Sequence, residues 1–279
     1  MTRIPTLTFN DAQARLAEIF IGEGDCELPC WKGIIPGQTS VDQVETLFVP
    51  LESIAHFHED YAMTFDDRDL IQSGLRTNYP IDDATDISVF VTWYEYENVP
   101  KVEMIQVLTA NHRKINDDTW EDVFGDPTYN QIFERYSLSE ILLEFGQPSE
   151  VLVFATISPM KHLQDLDRLS FIVRYPEQGI SLTYTLPFDN RNGQIGTGCL
   201  ADATVDWWLS PLGNNPFYRN FQAEMTGYSS TYLGQSVDPY RYFQSVEDAT
   251  GLTIKEFTNL FNENEKGCID VRLDIWPKP

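Results

Sequence analysis

The chain has 279 residues and carries 19 Lys and Arg against 43 Asp and Glu, a formal net charge of −24. A surface this negative excludes nucleic-acid binding by phosphate neutralisation and docking on anionic lipid, since both need clustered Lys and Arg. With 42% hydrophobic and 13% aromatic residues the chain has apolar content for a packed core, and its length allows one large domain or two ordinary ones.

The first residues run straight into a polar amphipathic stretch. No apolar h-region of a secretory leader is legible, so export would need a leader or anchor outside this chain. No apolar run approaches the ~20 residues of a membrane-spanning helix, and no N-x-S/T acceptor occurs. Asp11 to Phe20 reads as a short amphipathic helix capped by Asn10 or Asp11 and ended by Gly22 and Gly24. The segment from Leu28 to Gly37 then reads as a pinned loop punctuated by Pro29, Pro36 and Gly37.

Three segments share one template: a hydroxyl residue, Gln or Glu three positions later, and apolar residues ending in Phe at the ninth position. They start at Ser40 (with Gln43 and Phe48), Ser137 (with Glu140 and Phe145) and Thr253 (with Glu256 and Phe261). The hydroxyl and the Gln or Glu form a capping box, and the apolar positions fall on one helical face. Each therefore predicts a short helix, and the recurrence suggests a repeated unit. Strands with β-branched and aromatic character follow the first two, over 54–58, 88–94 and 102–108, then over 150–154, 169–175 and 180–185; residues 202–209 add another. The Asn-, Pro-, Gly- and Tyr-rich stretch 213–250 reads as a long irregular excursion. This order argues for an α+β protein in which a short helix precedes an antiparallel meander in tandem units. The predicted parts are 1–37 (helix and Cys loop), 38–132 (first unit), 133–212 (second unit) and 213–279 (loop-rich extension with a short helix).

Two stretches carry a resemblance. Cys26-Glu27-Leu28-Pro29-Cys30-Trp31 through Pro36, Gly37 and Thr39 is similar to the "LPCW-x-GI-x-PG-x-T" opening of uncharacterised bacterial exported proteins and lipoproteins. Tyr136 to Val151, with Gly146 and Pro148 between helix and strand, resembles an element those proteins share with the SmpA/OmlA (BamE-like) outer-membrane lipoprotein domain. The β-lactamase-inhibitor-protein fold uses a similar unit, and the tail from Cys268 to Pro277 resembles the same exported group. The resemblance implies tandem helix-plus-sheet units, an extracytoplasmic location, disulfide pairing and a binding or assembly role rather than catalysis. Of the three connectivities open to Cys26, Cys30, Cys199 and Cys268, the pairs 26–30 and 199–268 are the simplest; four reduced thiols in a cytoplasmic protein are the alternative. Independently of any family, Gly146 fits a helix C-terminus needing positive φ, and Pro148 keeps the helix from resuming.

Chemistry-bearing patterns are sparse. His56 and His58 would share a face of a strand, with Asp60 able to join them as a metal ligand, although an alternating polar strand edge explains the same pattern. The clusters Asp66–Asp69, Asp82–Asp83 and Asp117–Asp118 lack the calcium-loop spacing, and Arg191 spoils Asp189–Gly193. No nucleophile elbow, Walker loop or dinucleotide glycine fingerprint occurs, and no cofactor is implied. Trp207 and Trp208 would face opposite sides of a strand, one in the core and one partly exposed. Trp208, Tyr228, Tyr232 and Tyr240 are accordingly candidates for partner contact. The leading expectation is a non-enzymatic exported binding or envelope-assembly protein that offers a sheet face and loops to a protein or cell-wall partner. The alternatives are a small metal-dependent hydrolase using His56 and His58, or a glycan-binding module.

Overall fold

The computed structural model describes residues 5–21, 26–65, 68–80, 85–96, 101–116, 119–156, 168–190, 194–213, 215, 218, 243–263 and 267–276. In chain order these form helices α1 (Phe9–Ile21) and α2 (Val41–Phe48), then strands β1 (Ala55–Phe65), β2 (Arg68–Pro80), β3 (Thr85–Tyr96), β4 (Val102–Asn116) and β5 (Thr119–Asp122). Helices α3 (Pro127–Ile132) and α4 (Leu138–Phe145) follow, then β6 (Glu150–Thr156), β7 (Arg168–Tyr175), β8 (Ile180–Pro187), β9 (Asp189–Asn190), β10 (Ile195–Cys199) and β11 (Thr204–Leu209). The last elements are β12 (Gln244–Ser245), α5 (Val246–Thr250), α6 (Ile254–Glu263) and β13 (Cys268–Arg272). Helices and antiparallel sheet together make this an α+β fold. The chain divides into two compact units: 1–123 with 177–180 and 206–214, and 124–176 with 181–205 and 215–279.

In the first unit the described strands lie in the order β1-β2-β3-β4-β11, all neighbours antiparallel, and β5 folds back on β4. The helices cover one face. Phe48, the last residue of α2, stacks on Trp93 with centroids 5.9 Å apart and on Trp31 at 6.1 Å, and Trp31 in turn meets Phe20 and Trp207. The Cys26–Cys30 disulfide and reciprocal 2.9 Å backbone bonds between Trp31 and Ile34 shape the loop that inserts Trp31 into this cluster. Gly74 sits mid-strand in β2, where a Cβ would come 2.7 Å from the Val91 carbonyl oxygen, so the close strand approach requires glycine.

In the second unit the described strands run β8-β7-β6-β12, beside a three-stranded sheet β13-β10-β9. α4 packs on α6, Phe257 of α6 stacks on Phe171 of β7, and Phe145 of α4 meets Tyr175 of the same strand. The Cys199–Cys268 disulfide joins directly paired residues of β10 and β13 across 69 positions of sequence.

The helix starts follow hydroxyl chemistry. Ser40 forms the full reciprocal box with Gln43, and Thr253 does so with Glu256. At Ser137 half of the box is present: its Oγ accepts the Glu140 amide. α1 begins earlier than Asn10, because Thr8 is its cap and accepts the Asp11 amide at 3.3 Å. Ser40 caps α2; its neighbour Thr39 is buried and its Oγ1 accepts the Ile35 amide. Residues 244–250 are regular, as β12 and α5, where the sequence predicts an irregular stretch, because Ser245 accepts the Asp248 amide and starts a helix there.

Candidate functional site

Strand alternation gives the first unit's sheet two unlike faces. Toward the helices point the registered rows Leu75–Val91–Val107–Trp207 and Trp93–Ile105–Leu209. On the opposite face the rows change character along the strands. Thr92–Gln106–Trp208 is buried, and Trp208 stacks on Tyr94 at 5.9 Å. One step along, His56–Arg76–Phe90–Leu108 runs across four strands, with His56 and Arg76 exposed and Phe90 and Leu108 half-buried. The Arg76 guanidinium carbon lies 4.9 Å from the Phe90 ring centroid, a cation–π geometry. The next row contains Asn78, Ser88 and Ala110, where the Ser88 hydroxyl donates to Asn78 Oδ1 at 2.8 Å. Beyond it His112 Nδ1 lies 2.9 Å from Asp122 Oδ1. Described helices of this unit pack on the other face, so these rows form an open, mixed polar and apolar surface.

Asp206 borders that surface. It stands one residue beyond the last paired position of β11 with β4, and its Oδ1 accepts the Thr109 amide at 2.6 Å. Crowding by protein removes water from the carboxyl and pushes its pKa up from 3.8 to about 7, against the opposing pull of the Thr109 amide. Asp206 nevertheless keeps some accessible surface, so solvent screening moderates this push.

The second unit contains a cleft of about 340 Å³. Buried Phe133, Leu138, Tyr184 and Phe261 form its floor, and exposed Glu134 and Glu140 stand at its rim. The tyrosine hydroxyls there are committed: Tyr129 accepts the Val205 amide at 2.8 Å, and Tyr184 donates to the Tyr136 carbonyl at 3.0 Å. Burial, and to a lesser degree the neighbouring Tyr175, hold Tyr184 well above its ordinary pKa, so it stays neutral. Among the described residues no His, Cys, Lys or Arg lines the cleft.

The residues singled out in the sequence are scattered across this framework. His56 is exposed on β1, while the side chains of His58 and Asp60 lie outside the described residues. The β1–β2 register shifts between His58 and Tyr61. No group of three or more His, Cys, Asp or Glu among the described residues is placed to hold a metal ion. Trp207 and Trp208 do face opposite sides, but both are buried, because each sheet face is covered at that level; Trp208 is 2% exposed. Tyr228, Tyr232 and Tyr240 lie outside the described residues. All four cysteines are paired, Cys26 with Cys30 and Cys199 with Cys268. Among the described residues no helix is long and apolar enough to cross a membrane.

Arg76, Phe90 and Asp206 had no distinguishing signal in the sequence. Arg76 lies on β2, a strand whose polar residues and central glycine hide its period, so no facing row was visible without the register. Comparison with protein-family models, with curated proteins and with solved structures found no match to the chain.

Proposed function

We propose that the protein is a non-enzymatic, exported binding protein whose first unit seats a protein partner on the open face of its sheet. The observation that carries this reading is Arg76 held over Phe90, with Arg76 exposed on the sheet face opposite the described helices and the pair flanked by His56 and Leu108. Arginine and aromatic residues dominate the energetics of protein interfaces, because they combine apolar area with directed polar groups. Among the described residues Arg76 forms no ion pair, so its guanidinium is available to a partner carboxylate, while Phe90 and Leu108 offer apolar contact beside it.

Two further observations support the wider reading. The disulfides suit an oxidising, extracytoplasmic compartment. In each unit a Ser-capped helix of eight residues ends in Phe and precedes antiparallel strands, which favours tandem versions of one plan and the resemblance to BamE-like and β-lactamase-inhibitor-like units.

A photo-crosslinking residue placed at exposed Asn78 in cells of the native source is the test. One discrete protein adduct is expected at that position, none from the same residue at Glu18 on α1, and loss of the adduct on Arg76→Glu. Identical adduct patterns from both positions, or an adduct indifferent to Arg76→Glu, would remove the sheet face from consideration.

A further inference from the structure

We propose that the cleft of the second unit is a binding site for a small organic ammonium carried on an aromatic or apolar body. The site does not depend on the sheet-face reading, which concerns the other unit.

The size comes first. About 340 Å³ lies at the lower end of the volumes that hold small ligands, enough for one ring and a short chain. The floor is chemically suited to such a body: Phe133, Leu138, Tyr184 and Phe261 are buried and close-packed behind it. Tyr129 and Phe133, with ring centroids 4.7 Å apart, extend the aromatic character of the wall.

The charge decides the class of ligand. Glu134 and Glu140 are the carboxylates among the described residues that line the cleft, and no cationic side chain among the described residues lines it to receive an anion. Among the described residues neither carboxylate forms an ion pair, so both can meet an incoming ammonium. Aromatic ring faces attract the same charge. An anion would meet two carboxylates within a chain of net charge −24, and a neutral molecule would gain the floor alone. The cleft is built for holding rather than turnover. Both carboxylates stand exposed at the rim, and the tyrosine hydroxyls are tied to the backbone.

The test titrates the full chain, by calorimetry at low salt, with phenethylammonium, 2-phenylethanol and phenylacetate. These share a ring and differ in charge. Saturable one-to-one binding of phenethylammonium is expected, with weaker binding of the alcohol and none of phenylacetate. Glu134→Gln with Glu140→Gln is expected to weaken phenethylammonium about five- to ten-fold, as two exposed ion pairs would. Ser139→Trp, a half-exposed position at the rim, is expected to block binding while leaving the far-ultraviolet circular dichroism and the urea midpoint of the fold unchanged. The proposal is overturned by an absence of saturable binding, by equal binding of phenylacetate, or by retained affinity in the folded double Gln variant.

Discussion

Asp206→Asn isolates the described carboxyl whose titration the fold moves into the neutral range. In the folded chain its pKa stands near 7 against an ordinary value of 3.8. The sign follows from proton counting. Between these values the folded state holds a proton that the unfolded state has released, so this group's contribution to stability falls as pH rises through that window. Below 3.8 both states are protonated and nothing is lost; above about 7 the full destabilisation is present. The gap corresponds to roughly 4 kcal/mol at the limit, and the residual exposure of Asp206 brings the expected figure to about 2–3 kcal/mol. Asparagine keeps an oxygen to accept the Thr109 amide but cannot ionise. The variant is therefore expected to be more stable than the parent at about pH 8.5, and this advantage should shrink by about 2 kcal/mol on going to about pH 4. Urea unfolding of both proteins across that range measures the difference directly. Taking the difference also cancels the general repulsion of a chain with net charge −24. A parent–variant gap that does not change with pH would refute the assignment of Asp206 as a desolvated carboxyl.

Three other changes probe separate parts of the fold. Replacing Cys199 and Cys268 by Ser opens a loop of 69 positions and should lower stability by about 4 kcal/mol, read as a lower urea midpoint; a loss under about 1 kcal/mol would mean the paired strands hold that loop closed without the bond. Ser40→Ala and Ser137→Ala should each cost about 1 kcal/mol, with Ser40 the larger because its box is reciprocal, so equal losses would argue that the Gln43 return bond contributes nothing. Asn111 is 1% exposed with neither amide atom hydrogen-bonded, so Asn111→Leu should raise stability by about 1–3 kcal/mol; a destabilised variant would point to an internal water serving that amide.

Much of the fold is local and therefore legible. The three hydroxyl caps announce α2, α4 and α6, and Gly146 takes the positive φ of 72° expected after α4. The apolar strands β3, β4, β7 and β8 stand where β-branched and aromatic runs lie. The misses have definable causes. β2 buries Ser73 and Thr77 beside Leu70 and Leu75, and polar residues buried inside a ladder erase the two-residue apolar period. β13 alternates cleanly around Ile269 and Val271, but five residues are too few for the pattern to stand out. α3 does carry a local signal, since Asp126 before Pro127 is a cap followed by proline at the first helical position. The candidate sites were less legible still. Arg76 and Phe90 become neighbours only through the β2–β3 register, and Glu134 and Glu140 face one cleft only because the turn after α3 brings α4 beside β8 and β11.

The adjacent indoles of β11 mark where the open surface of the first unit's sheet ends. Trp207 enters the helix-side cluster with Trp31, and Trp208 stacks on Tyr94 on the other face, so at this level the sheet is covered on both sides. Cross-strand rows farther along β3 lose that cover on one side only: Thr92 and Gln106 are 9% exposed, Phe90 and Leu108 are half-buried, and Arg76 and His56 are exposed. The helix side remains filled opposite these rows, with Val89, Val91 and Val107 all buried. Apolar burial that holds the sheet is thus concentrated on the helix side and around Trp208, while the side chains at the open end contribute little to it. A surface arranged in this way can change its exposed residues without disturbing the packing that positions them. Asp206 is the exception, because its carboxyl is engaged with the Thr109 backbone at the border of the open rows. Its titration is therefore the point at which solution pH acts on both the hold of β11 and the charge beside Leu108.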